Sequence, residues 1–293
     1  MFTATGRAEA MGHHGELVQG LFEDTGGSLK RALVSLPCPD LRARASFQPD
    51  EGNRIISFPP DRQKALRAAE LTAAAFGPKG MGGALSLESN IPIGRGMGSS
   101  TADVLASILA VADCLQIKVS AEQVMHIAVC AETACDSTLF QHQAVLFAHR
   151  EGLVVESFRK ALPPIEVISI DTMPGSTVDT LEFEPARYDP VEIEAFRPIR
   201  SLLRAAINAA DARLLGKAAT ASAHINERFL PKPRLDEIEA IGARFGAVGV
   251  QVAHSGTVVG LMFDKRDVDV SRNIGRAFDI LKRSAFEPTI FHN

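Results

Sequence analysis

The chain contains no tryptophan, only one tyrosine and only four cysteines in 293 residues. No two cysteines form a CxxC pair or have zinc-site spacing, which argues against structural zinc and favours a reduced, cytoplasmic protein. A basic surplus is also missing, because 31 Lys and Arg residues stand against 35 Asp and Glu residues. A general nucleic-acid binder is therefore excluded. No apolar run reaches 18 residues and the N-terminus lacks the apolar core of a signal peptide, so we expect neither a membrane span nor secretion.

The remaining composition is that of a globular chain, with 46% hydrophobic and 23% charged residues. A chain of this length buries enough surface to fold without disulfides or metals. Periodicity predicts short strands over the first 58 residues, and strands interleaved with helices in both halves favour an α+β fold. The Pro-, Gly- and Thr-rich interval Pro174–Pro190 indicates a boundary between domains at 1–175 and 176–293.

The most informative segment is the loop 92–102, PIGRGMGSSTA, which precedes a predicted alanine-rich helix, Ser99–Leu115. Its alternate glycines permit a tight turn and a close approach of the backbone to a ligand. The unpaired amides and the dipole at the helix start favour an anion such as a di- or triphosphate. The residues assigned to this phosphate site are Pro92, Gly94, Arg95, Gly96, Met97, Gly98, Ser99, Ser100 and Thr101. A turn that only caps the helix is the alternative, and Arg95 could equally face solvent.

Two other nucleotide-binding loops fit the sequence less well. A Walker A motif, GxxxxGK[ST], does not occur in the chain. A Rossmann fingerprint requires GxGxxG in the first βαβ unit, with an acidic residue about 20 positions later. Here the spacing is GxGxG and the motif begins only at residue 94. The candidate acidic residue, Asp113, also follows the motif sooner than the fingerprint requires. A dinucleotide-dependent oxidoreductase is therefore the weaker reading.

The order Pro-x-x-x-Gly-x-Gly-Ser-Ser from Pro92 to Ser100 resembles the central motif of the GHMP kinases, with Met97 in place of the usual leucine. This superfamily includes galactokinase, homoserine kinase, mevalonate kinase and phosphomevalonate kinase. Residues 246–257 resemble its C-terminal glycine-rich motif, although a hairpin turn also explains them. The segments GELVQG (15–20) and ETACDSTLF (132–140) look like those of the PduX-type L-threonine kinases of cobalamin biosynthesis. The resemblance extends over essentially the whole chain.

This resemblance implies a fold and an activity. The fold would be a ribosomal-S5-like N-terminal α/β domain followed by a ferredoxin-like C-terminal α+β domain. The activity would be transfer of phosphate from ATP, with Mg²⁺, to the hydroxyl of a small molecule, with L-threonine giving O-phospho-L-threonine. Homoserine or another small alcohol is an alternative acceptor, and a non-catalytic nucleotide- or metabolite-binding protein is an alternative function. A homodimer is one option for the assembly.

Two carboxylates are the candidates for the chemistry of phosphoryl transfer. Glu132 is a hard ligand suited to Mg²⁺, together with Ser100. Asp136 lies four residues later, so the two would share one helix face if the predicted helix 121–134 continued. The resemblance puts Asp136 at the place of a catalytic aspartate, where it either accepts the proton of the substrate hydroxyl or only orients that hydroxyl. A solvated Glu132 and an Asp136 that caps the next segment are the structural alternative.

The substrate side is assigned to four residues besides Asp136. Glu16 and Gln19 lie on what we interpret as a glycine-bounded turn, where they could recognise an amino or hydroxyl group; exposed loop residues are the alternative. The resemblance adds Ser255 and Gly256 from the C-terminal motif. A metal site at the adjacent His13 and His14 is rejected, because neighbouring side chains of a strand point in different directions.

Overall fold

The computed structural model describes residues 4–140, 142–176 and 186–292. The strands in these ranges are β1 (Gly6–Glu23), β2 (Leu29–Asp50), β3 (Ile55–Phe58), β4 (Gly82–Ser89), β5 (Val145–Ala148), β6 (Leu153–Ser157), β7 (Ile165–Asp171), β8 (Gly249–Val252), β9 (Val258–Asp264) and β10 (Pro288–His292). The helices are α1 (Gln63–Phe76), α2 (Ser99–Cys114), α3 (Ala121–Glu132), α4 (Pro190–Ala209), α5 (Ala212–Asn226), α6 (Leu235–Arg244) and α7 (Val270–Arg283). The α+β class predicted from the sequence is confirmed.

The described strands form one sheet in the order β10-β7-β9-β8-β1-β2-β4-β3, and β5 extends it from β2 to β6. The prediction of short strands over the first 58 residues is confirmed for β3 and wrong for β1 and β2, which form one long antiparallel hairpin. Irregularities in β1 between Met11 and Val18 interrupt its register without ending its pairing. Such bulges bend a strand and increase its twist, which redirects the side chains that they carry.

The long hairpin carries two groups of helices. Its Gly6 end packs with α1, α2 and α3 around Phe47, and its Glu23 end packs with α4 and α5 around Phe196. A third cluster joins α6 and α7 to β7, β8 and β9. The proposed domain boundary stays a prediction; β7, which precedes it, pairs with β9 and β10, which follow it. The middle of β1 therefore lies where the first two helical groups meet.

Two ends of helices position the site. Ser120 and Gln123 form the predicted capping box at the start of α3. The C-terminus of α3 comes earlier than predicted, because Thr133 adopts a left-handed conformation (φ 73°) and its N–H bonds to Val129. The premise that Glu132 and Asp136 share a helix face is therefore wrong, since Asp136 lies in the loop after α3. No helix in the described part of the chain is long and apolar enough to cross a membrane.

Candidate active site

The glycine-rich loop makes the tight turn that its sequence predicts. Gly94, Gly96 and Gly98 all adopt left-handed conformations, with φ between 72° and 77°. A Cβ on Gly96 would lie 2.5 Å from the Cβ of Ala253, and one on Gly98 would lie 2.4 Å from the ring of His13. Both conformation and space therefore require glycine at these two positions. Helix α2 begins at Ser99 directly after the loop, so its first amides have no partner within the helix.

Two neighbouring segments hold this loop in place. The His13 N–H of β1 donates to the Met97 carbonyl at 3.1 Å, and the Thr257 N–H donates to the Arg95 carbonyl at 3.2 Å. Gly256 packs against the same carbonyl, since a Cβ there would lie 2.1 Å from it. The guanidinium of Arg95 forms an ion pair with Asp171 at the end of β7. The structure therefore places Arg95 on a protein carboxylate and Gly256 behind the loop.

Glu132 is the last residue of α3, and its carboxylate lies at the start of α2, where two hydroxyls bind it. Ser100 Oγ donates to Oε2 at 2.6 Å and Thr101 Oγ1 donates to Oε1 at 2.8 Å. Burial raises the pKa of Glu132, and the two hydroxyl hydrogen bonds oppose that rise. The Nζ of Lys64, on α1, lies 4.0 Å from Oε2. A buried carboxylate and an adjacent hydroxyl are oxygen ligands of the kind that Mg²⁺ prefers, so Ser100 and Glu132 fit this ion.

Asp136 forms an ion pair with a residue that the sequence analysis did not select. Its Oδ2 lies 2.9 Å from Nε2 of His13, and the Nδ1 of the same ring lies 3.0 Å from the Gly15 carbonyl. Each ring nitrogen thus faces an acceptor, an arrangement that only the doubly protonated ring satisfies. Burial lowers the pKa of His13, but the charge and hydrogen bond of Asp136, with the charge of Glu16, raise it to about 9. Burial likewise raises the pKa of Asp136, but the charge and hydrogen bond of His13 bring it below its usual range.

His13, Glu16 and Asp136 have the spacing of a metal site, with one polar atom from each within 4.8 Å of the others. A histidine that carries both ring protons has no lone pair for a metal, so we interpret the group as an ion-pair cluster. The adjacent His14 is buried elsewhere, where it contacts Gln251 and Phe291. The expectation that the two histidines point in different directions is confirmed. The sequence offered no signal for the contact between His13 and Asp136 beyond the proximity of His13 to the GELVQG segment.

The turn predicted around Glu16 is a bulged part of strand β1, and Glu16 is buried. Its Oε2 accepts hydrogen bonds from the backbone N–H of His254 at 2.8 Å and from the His254 ring Nδ1 at 3.2 Å. The Nε2 of His254 lies 3.2 Å from the hydroxyl of Ser222 on α5, which also accepts the N–H of Gln19 at 3.0 Å. The interpretation of Glu16 as an exposed loop residue is therefore wrong. Ser222 thus holds the His254 ring, and His254 in turn fixes the Glu16 carboxylate from the side of α5.

These groups surround one cavity of about 660 Å³. The glycine loop, the Glu132 group and the Asp136 group all line it, as do Glu16, Gln19 and Ser255. Of the residues assigned from the sequence, Pro92, Arg95 and Gly256 are outside its lining. The basic residues in its lining are His13, Arg31, Lys64, His149, Arg150 and His254, and the sequence analysis selected none of them as a site residue. Its volume is in the range of small-molecule sites.

Comparison with known protein families finds a GHMP kinase domain in each half of the chain. The GHMP kinases N terminal domain matches residues 63–143, and the GHMP kinases C terminal domain matches residues 203–279. An L-threonine kinase of Salmonella typhimurium is 31% identical over 66% of this chain and 63% of its own length. A homoserine kinase of Moorella thermoacetica is 28% identical over 67% of each chain. The matched region thus spans less than two thirds of the L-threonine kinase.

A solved structure shows that the likeness extends to the complete fold. The mevalonate kinase of Methanococcus jannaschii superposes with a TM-score of 0.71 at 17% identity, over 99% of this chain and 98% of its own. The two family matches together cover more than half of the 293 residues. The chain therefore belongs to the GHMP kinases.

Proposed function

We propose that this protein transfers the γ-phosphoryl group of ATP to the hydroxyl of L-threonine, releasing O-phospho-L-threonine and ADP. The observation that carries the proposal is the convergence of three groups in one cavity: the amides of the glycine loop, the Ser100–Glu132 pair, and the ionised Asp136. The likeness to an L-threonine kinase supports threonine as the acceptor. A place in cobalamin biosynthesis, a cytoplasmic location and a homodimer stay predictions.

The nucleotide would bind with its phosphates at the glycine loop. The amides at the start of α2 and the helix dipole stabilise the negative charge of the phosphates. Ser100 and Glu132 would hold Mg²⁺ beside them; when bound, the ion neutralises charge on the phosphate oxygens. Lys64 lies close enough to Glu132 to add a second positive charge at this end of the cavity. Thr101 keeps Glu132 in place and accepts the Asp136 N–H at 3.4 Å, so it joins the metal side to the acceptor side.

Asp136 would orient the acceptor hydroxyl. His13 occupies Oδ2, which leaves Oδ1 to accept the hydroxyl proton in a hydrogen bond. As the hydroxyl oxygen attacks the γ-phosphorus, ADP leaves and the proton passes to Asp136. The lowered pKa makes this carboxylate a weak base, which suits a transition state that needs positioning more than early deprotonation.

Homoserine is the second candidate acceptor, because a homoserine kinase is also among the relatives. A chain that only binds nucleotide is disfavoured, since it would have no use for the two carboxylates of Glu132 and Asp136, which Thr101 connects in one cavity. The decisive experiment incubates the protein with ATP, Mg²⁺ and L-threonine, L-serine, L-homoserine or mevalonate. ADP release is measured by a coupled assay, and the product is identified by ³¹P NMR.

We expect ADP release that depends on L-threonine and stops when EDTA removes Mg²⁺, with one phosphate monoester formed for each ADP. Faster turnover of homoserine than of threonine would replace the proposed acceptor. ATP binding without turnover of any alcohol would reject the kinase activity in favour of a binding protein.

A further inference from the structure

We propose that the acceptor end of the cavity selects vicinal amino alcohols, with Glu16 binding the ammonium group and Asp136 binding the hydroxyl on the adjacent carbon. This inference rests on the proposed function and specifies which acceptors that function admits. It assigns to Glu16 the binding of one chemical group of the substrate, the ammonium on the carbon next to the one that carries the reacting hydroxyl.

The two carboxylates lie close together. One oxygen of Glu16 lies within 4.8 Å of one oxygen of Asp136. A nitrogen and an oxygen on adjacent carbons are about 2.9–3.7 Å apart in every staggered rotamer, so one molecule can donate to both carboxylates at once. Homoserine has one more carbon between the two groups and must order one more torsion to hold them at a fixed separation, which costs free energy on binding. We therefore expect threonine and serine to bind in this way more readily than homoserine.

Glu16 is held through only one of its two carboxylate oxygens. Both hydrogen bonds from His254 go to Oε2, and the His254 ring is itself fixed by Ser222. The other oxygen, Oε1, lies 3.9 Å from Nδ1 of His13, which is beyond hydrogen-bond distance. One oxygen thus anchors the carboxylate, and the other is available to a ligand that enters the cavity.

The charges around the two carboxylates differ. The imidazolium of His13 donates directly to Asp136 and so compensates that carboxylate. The buried ammonium of Lys232 interacts with the charge of Glu227 more strongly than with that of Glu16. Among the described residues, the His13 imidazolium lies 3.9 Å from Oε1 of Glu16, but its two N–H groups already face Asp136 and the Gly15 carbonyl. A ligand ammonium would therefore add a cation that donates directly to Oε1. A hydrogen bond between two charged groups is among the stronger ones in a protein.

The consequence is a strong rejection of alcohols that lack the ammonium group. (R)-3-hydroxybutyrate is L-threonine without its amino group, and it would leave Oε1 of the buried Glu16 without the donor that threonine supplies. A site built to hydrogen-bond one group rejects the analogue that lacks it by about 10⁴-fold. We therefore expect kcat/KM to fall by about that factor from L-threonine to (R)-3-hydroxybutyrate, and L-homoserine to fall between them.

The test compares the wild-type protein with Glu16→Gln, which preserves the shape and the acceptor oxygen but removes the charge. Glu9→Gln is the matched control, because Glu9 lies on the same strand but is exposed and pairs with Arg42 at the surface. We expect Glu16→Gln to lower kcat/KM for L-threonine at least about 100-fold and to leave that for (R)-3-hydroxybutyrate unchanged. An equal fall for both substrates, or a preference for L-homoserine over L-threonine in the wild type, would overturn the inference.

Calorimetry separates this inference from the proposed function. Binding of a non-hydrolysable ATP analogue with Mg²⁺ shows that each variant is folded and retains its nucleotide site. Binding of L-threonine to that complex is then measured without turnover. Retained threonine binding in Glu16→Gln would contradict the ammonium assignment even if the protein were an active kinase, and lost binding would support it even if no product formed.

Discussion

The ion pair between His13 and Asp136 makes the stability of the protein depend on pH in a specific way. The pKa of His13 rises from 6.5 to about 9 on folding. A raised pKa means that the folded state holds a proton which the unfolded state releases above pH 6.5. The stabilisation is therefore complete below pH 6.5 and is lost as the pH rises through 9.

The size of the effect follows from this shift. Each pKa unit corresponds to about 1.4 kcal/mol, so most of this stabilisation, about 3 kcal/mol, is lost between pH 6.5 and pH 9. Other groups titrate in the same window, among them Lys232, whose pKa burial lowers to about 8. The difference between the wild type and His13→Gln cancels their contributions to first order. Glutamine can still donate to Asp136, so the variant removes the charge and keeps a hydrogen bond.

The assay is urea denaturation of both proteins at half-unit steps between pH 6.5 and pH 9. We expect the difference in free energy of unfolding between the two proteins to shrink by about 3 kcal/mol across the window. In the Asp136→Asn background the same replacement should produce a much weaker pH dependence, because the partner that raises the pKa is gone. A difference that stays constant with pH would show that His13 does not hold the extra proton, and the interpretation of the cluster as an ion pair would fail.

Three further predictions concern the cavity. Asp136→Asn should lower kcat by about 10²–10⁴-fold and leave the calorimetric ATP affinity unchanged. The control Asp279→Asn, at an exposed position, should change neither quantity. An equal kcat in the two variants would contradict the role of Asp136. Gly98→Ala should abolish ATP binding. The control Gly27→Ala, at a position with a similar left-handed φ but no atom within 4 Å of the added Cβ, should cost only about 1–2 kcal/mol of stability. Retained ATP binding in Gly98→Ala would refute the assignment of the loop to the phosphates. Ser100→Ala should raise the Mg²⁺ concentration for half-maximal activity at least about tenfold, and an unchanged Mg²⁺ titration would remove Ser100 from the metal site.

The sequence predicted the local parts of this site well. The alternate glycines and the helix start at Ser99 follow from short-range rules on backbone freedom and helix ends, and the structure has both. The capping box at Ser120 is equally local. A four-residue spacing, by contrast, misled the analysis at Asp136, because a left-handed Thr133 ends the helix and no sequence rule signalled it.

The long-range parts could not be predicted from one sequence. His13 and Asp136 are 123 positions apart, and their contact depends on how β1 passes the start of α2. The same holds for Arg95, whose partner Asp171 comes from the end of another strand. The burial of Glu16 depends on a bulge in a strand and on His254 from the C-terminal half. Glycines and polar residues near such a bulge look like a turn when only local patterns are available.

The central claim is that one cavity holds the nucleotide phosphates at the start of α2 and the acceptor between Glu16 and Asp136. The most direct test is a crystal structure of the protein with Mg²⁺, a non-hydrolysable ATP analogue and L-threonine. We predict that the γ-phosphate lies against the amides of residues 98–101, with the threonine hydroxyl on Asp136 and its ammonium on Glu16. Phosphates bound away from the glycine loop, or a threonine whose hydroxyl does not face the γ-phosphate, would contradict the account.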